Sequence, residues 1–106
     1  MDETSTISWI FLSTAFASES EPANFESISQ IADGINHAVP THKELQTSLI
    51  WLTKMELVEK TGKKYQLTSK GTDAITKAKS RTNNVIMNIW DELTKEIEKT
   101  KAQHTI

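Results

Sequence analysis

The chain has 106 residues, enough for one domain with a modest core, and its 37% apolar and 25% charged residues are the balance of an ordinary soluble globular protein. The absence of cysteine excludes disulfides, thiolate nucleophiles and cysteine-based zinc sites, and fits a reducing cytoplasm. The net charge of −2 argues mildly against a nucleic-acid binder, but the charge is unevenly placed: residues 1–42 carry six acids and no Lys or Arg, residues 43–81 a net +5, and residues 82–106 a net −1.

The N-terminal stretch "ISWIFLSTAFA" has the length of a signal-peptide core and ends in small residues. Asp2 and Glu3 precede it where a secretory signal needs positive charge, and it is too short to span a bilayer. It reads as a buried first helix through Ile7, Ile10, Phe11 and Ala15, apolar around much of its circumference. "SESEPAN" (18–24) is a polar connection, with Asn24 as an N-cap.

Ile28, Ile31, Ala32, Ile35 and Val39 recur at helical spacing and predict a second helix over residues 25–38. Gly34 inside it would allow close approach of a neighbouring helix, and Pro40 stops it. Asn36 and His37 suit the helix end, Asn being favoured in left-handed positions.

Thr41-His42-Lys43-Glu44 is a capping box that starts a third helix running to Met55. Leu45, Leu49 and Leu52 form its core stripe, with Ser48 and Glu56 beside them. Lys43, Thr47, Ile50 and Lys54 lie opposite, flanked by Gln46 and Trp51. Val58–Thr61 and Lys64–Thr68 read as short strands joined at Gly62-Lys63, which fits a type II′ turn. Thr68 or Ser69 caps a fourth helix through Ala74, Ile75 and Ala78. After a break at "SRTNN" comes a final amphipathic helix over 83–101, marked by Ile86, Ile89, Trp90, Leu93 and Ile97 and ending in the polar "KTKAQHTI".

The order helix, helix, turn, helix, hairpin, helix, helix resembles the winged helix-turn-helix of bacterial transcription regulators, the broad MarR- and PadR-like group. The resemblance covers residues 7–80 and is densest at "KELQTSLIWLTKMELVEKTGKKYQLTSKG". Glu56 departs from it, standing where many such domains have the Gly that closes the recognition helix in a left-handed conformation. That predicts either a different helix end or a more distant match.

The resemblance implies an α+β, mostly helical domain over 1–106 with a two-stranded wing, acting as a non-catalytic, cytoplasmic transcription regulator that binds double-stranded DNA. Residues 42–55 would enter the major groove. Lys43 and Lys54 would contact phosphates, Lys43 alternatively a guanine, Gln46 an adenine and Thr47 a thymine methyl. Thr41 and His42 would hold a phosphate on backbone N–H groups at the helix start. Lys60, Lys63 and Lys64 would touch the backbone from the wing; alternatively they guard an edge strand.

Ile50 and Trp51 point to a different class, a winged-helix module that binds protein rather than DNA; Trp51 alternatively packs under the wing. The resemblance further implies a homodimer through the terminal helices, at Ile10, Phe11, Ile86, Ile89, Trp90, Leu93 and Ile97. The alternative is a last helix folded back on the first within one chain. His37 and His42 have no third partner at a metal-ligand spacing, and the carboxylates and serines form no nucleophile motif, so no metal, cofactor or catalysis is expected.

Overall fold

The computed structural model describes residues 1–103, and the last three residues of the polar tail, 104–106, lie outside them. The described chain is α+β and mostly helical: α1 (Glu3–Ala17), α2 (Phe25–Asn36), α3 (His42–Lys54), β1 (Val58–Thr61), β2 (Lys64–Leu67), α4 (Ser69–Ser80) and α5 (Ile86–Gln103). None of these helices is long and apolar enough to cross a membrane.

α1 starts earlier than its apolar run, because Asp2 caps it by accepting from the Ser5 N–H at 2.8 Å. That hydrogen bond lowers the Asp2 carboxyl pKa from its ordinary value. The helix is buried without a break from Thr6 to Thr14, with α2, α3 and α5 packed around it. A helix apolar on one stripe could not be covered this way; α1 is apolar around its circumference, and its few hydroxyls are bonded internally. Ser13 and Thr14 donate to the carbonyls of Trp9 and Ile10, and Ser8 lies 2.6 Å from Thr94 of α5. Two indoles pin its neighbours. Trp9 Nε1 donates to the Ala32 carbonyl of α2, and Trp90 Nε1 of α5 donates to the Ser5 carbonyl, each at 2.9 Å.

The apolar stripe of α5 is therefore covered within one chain. Ile10, Phe11, Ile89, Trp90, Leu93 and Ile97 are all buried, and the Trp9 and Trp90 rings stack at 6.2 Å. These are residues the resemblance assigned to a dimer interface, and here they pack as in the alternative, the last helix folded back on the first within one chain. Only Ile86 of that set is exposed, at 42%, on the first turn of α5 beside Val85 and Met87.

α2 ends at Asn36, and His37 rather than an Asn takes the left-handed conformation, with φ 56° and its N–H on the Asp33 carbonyl. Val39, the last member of that helical repeat, lies beyond the helix end and is 70% exposed. Gly34 faces open space; a Cβ there would meet nothing within 4 Å, so no neighbouring helix approaches it.

α3 opens on the capping box, the Thr41 hydroxyl accepting from the Glu44 N–H and the Glu44 carboxylate from the Thr41 N–H. It closes in a Schellman motif: the Glu56 N–H bonds the Thr53 carbonyl and the Leu57 N–H the Leu52 carbonyl, each at 3.0 Å. Glu56 sits in the left-handed region at φ 62°. The backbone form usually given to glycine is thus kept with a glutamate in it, and Leu57 buried near Leu52 holds it there.

β1 and β2 pair antiparallel, Val58 opposite Leu67 and Thr61 opposite Lys64. Gly62 has φ 63° and Lys63 does not have a positive φ, as a type II′ turn requires. A third strand segment is a single residue: Ala23 and Tyr65 exchange two backbone hydrogen bonds at 2.8 Å. The stretch read as a plain polar connection thus ties the start of α2 to the hairpin. Thr68 caps α4 on Gly71, whose Cα lies so near the Leu57 carbonyl that no side chain fits there.

Candidate nucleic-acid interface

α3 buries Leu45, Ser48, Leu49 and Leu52 against the core and leaves His42, Lys43, Gln46, Thr47, Ile50, Thr53 and Lys54 exposed. Helical spacing alone separated these two sets, because residues three and four apart share a face. The hairpin runs beside this helix. Lys60 lines a cavity with Phe25 and Tyr65, and also lines an open groove with Thr53, Glu56 and Lys70 where α3 ends. At the other end of α3, the His42 ring lies 5.3 Å from Phe25, whose ring stacks on Tyr65 at 5.7 Å. The start of α2, the start of α3 and β2 therefore meet in one aromatic row, with Lys60 Nζ 5.8 Å from the Tyr65 ring centre.

The electrostatics of this side differ from those of the rest. Among the described residues, Lys43, Lys54, Lys60, Lys63 and Lys64 make no ion pair. Arg81 and the lysines of α5 do the opposite: Arg81 reaches Glu92 and Glu96, Lys95 reaches Asp91, Lys99 reaches Glu96 and Lys101 reaches Glu3. Four acids stand among the lysines of α3 and the hairpin, one of them Glu26, which lines the same cavity as Lys60 and Lys63. Glu44 is used in the capping box, Glu59 accepts from Gln66, and Glu56 is exposed.

Two assigned roles change with the geometry. The Thr41 N–H is taken by Glu44 at 2.9 Å, and that carboxylate puts a negative charge where a phosphate was expected, so a backbone phosphate site at Thr41 is not available. Trp51, read alternatively as packed under the wing, has its cation contact on α5. It is half-buried near the end of α5, with Lys101 Nζ 6.0 Å from its ring centre. Ile50 is 62% exposed in the middle of the outer face of α3.

Sequence reasoning missed Phe25 and Tyr65 as neighbours of the wing lysines. The alternation of Tyr65 with Lys64 and Gln66 marked it as inward-facing, but nothing in the spacing ties it to Phe25, forty positions earlier. Among the described residues no three His, Cys, Asp or Glu side chains converge as a metal-binding group. Compared with family models, with curated proteins and with solved structures, the chain matches none of them.

Proposed function

We infer that α2, α3 and the β1–β2 hairpin form a winged helix-turn-helix, and that the protein is a non-catalytic transcription regulator binding double-stranded DNA. The observation that carries this reading is the set of lysines on α3 and the hairpin that make no ion pair among the described residues, whereas Arg81 and the lysines of α5 are paired with acids. An unpaired lysine costs nothing to redirect to a phosphate, whereas a paired one must first break its contact. Lys43 and Lys54 on α3 and Lys60, Lys63 and Lys64 on the hairpin would hold the backbone. Gln46, Thr47 and His42, exposed on the first turns of α3, would meet base edges.

The test is fluorescence polarisation with a labelled random-sequence duplex at about 50 and about 200 mM salt. Four to six phosphate contacts give a loss of affinity on the order of 10²- to 10³-fold over that range, and Lys43→Glu abolishes binding at the higher salt. Salt-insensitive binding, or a Lys43→Glu variant as tight as the parent, would refute the reading.

Ile50 supports a second reading, an interaction module that takes a protein partner on the outer face of α3. An aliphatic side chain this exposed at the centre of a helix face suits an apolar contact better than a phosphate. On that reading duplex binding is absent at the lower salt, and Ile50→Asp removes a salt-insensitive protein contact.

A further inference from the structure

The outer face of α3 has an apolar centre between two cations. Ile50, 62% exposed, is the one large apolar side chain that α3 exposes among the described residues. Its neighbours one turn away on the helix surface are Gln46 and Thr47 on one side and Thr53 and Lys54 on the other, all exposed. The Thr53 hydroxyl donates to the Leu49 carbonyl at 2.7 Å, so its hydrogen is used within the helix and is not free for a base. Lys43 and Lys54 stand at the two ends of the row, neither in an ion pair among the described residues. No arginine lies on α3; the chain has a single one, Arg81, and Glu92 and Glu96 hold it beside α5. The face therefore lacks the side chain that forks onto a guanine, and puts an aliphatic group where such a contact would be made.

We propose that Ile50 is a specificity-determining residue that reads pyrimidine 5-methyl groups in the major groove, an inference that rests on the DNA-binding reading. Thymine presents a methyl group there beside its O4 acceptor. Seating Ile50 on that methyl removes apolar surface from water on both partners. Against a guanine or an unmodified cytosine, the same side chain would strip water from polar groups and return no hydrogen bond. 5-Methylcytosine carries its methyl at the same ring position, so the methyl is the chemistry recognised, whichever base bears it. Gln46, four residues before Ile50 on the same face, suits an adenine edge and favours thymine, adenine's partner, as the source. A polyanion with methyl groups on its groove floor complements both the lysines at the ends of the row and the apolar centre, whereas an apolar protein patch complements the centre alone.

The test uses the full chain and two pairs of short labelled duplexes that differ only in 5-methyl groups. One pair is alternating adenine–thymine against adenine–uracil, the other alternating guanine–5-methylcytosine against guanine–cytosine. Affinities are read by fluorescence polarisation at about 50 mM salt. The thymine duplex is expected to bind about four-fold more tightly than the uracil duplex for each methyl that Ile50 covers. Ile50→Ala abolishes that difference and Ile50→Val keeps most of it; Ile50 is exposed, so both variants fold. Methyl groups also alter duplex shape, but that effect acts equally on the parent and on Ile50→Ala, so the variant separates the two causes. Whichever pair shows the gain names the base that supplies the methyl. Equal affinities within both pairs, or a difference that survives Ile50→Ala, would overturn the proposal and, with binding still salt-dependent, leave the DNA reading standing. A chain that binds none of the four duplexes refutes the DNA reading and the methyl contact with it, and returns Ile50 to a protein partner.

Discussion

A Cβ added to Gly71 would sit 1.9 Å from the Leu57 carbonyl oxygen, which belongs to backbone and cannot rotate away. Relief would push the first turn of α4 off Leu57 and strain the Thr68 N–H bond to the same carbonyl, at 3.2 Å. Gly34 lies within α2 with nothing within 4 Å of its would-be Cβ. Gly71→Ala therefore destabilises by about 3 kcal/mol or more, above the ~1 kcal/mol that alanine returns in helix propensity. Gly34→Ala stabilises by about 0.4–1 kcal/mol, chiefly by restricting the unfolded chain. Thermal unfolding of the two variants checks both signs; a rise in Tm for Gly71→Ala would mean that α4 does not lie against Leu57. Glu56 adds the complementary lesson. The sequence marks the place as unusual by lacking glycine, but only the backbone shows that the Schellman ending is retained and that a glutamate carries the left-handed φ.

At the scale of elements, the parts with local causes were legible. The capping box placed the start of α3 to the residue, the Leu45, Leu49 and Leu52 spacing chose its buried face, and Gly62-Lys63 located the hairpin turn. What spacing could not supply was the partner of each face. α1 and α5 both carry more apolar surface than a lone helix can hide, and a stripe looks the same whether its cover comes from its own chain or another. The structure decides it through Trp9, Trp90 and Ser8, whose contacts close the seam inside one copy. Leu93→Ala, at a fully buried position in that seam, should cost about 2–5 kcal/mol. Ile86→Ala on the exposed first turn should cost under about 1 kcal/mol. If the seam is closed within one copy, the Leu93→Ala loss should be the same at low and high protein concentration. Denaturant unfolding at two concentrations separates the cases, and a loss that shrinks as protein is added would restore the dimer seam.

Across the whole molecule, folding turns a charge asymmetry along the chain into one across the surface. The acids of residues 1–42 and the bases of residues 43–81 were countable from sequence, but not which bases would be neutralised by neighbours. α5 uses its own acids on Arg81 and its own lysines, leaving α3, the hairpin and α4 with the unbalanced positive charge. The same step created the cavity, since Phe25 and Tyr65 meet only when Ala23 pairs across to the hairpin. If the unpaired lysines work as separate phosphate contacts, each contributes its own increment to the salt dependence. Lys63→Ala and Lys64→Ala should then each reduce the slope of log K against log salt by about 0.9. The double variant should lose about 1.8, as the sum of two independent contacts. Lys95→Ala, whose lysine already pairs with Asp91, should leave the slope unchanged. Polarisation titrations at four salt concentrations would measure the slopes of the four variants and the parent. Equal slopes for the hairpin variants and the parent would assign those lysines to guarding the strand edge, and leave α3 alone as the DNA-binding surface.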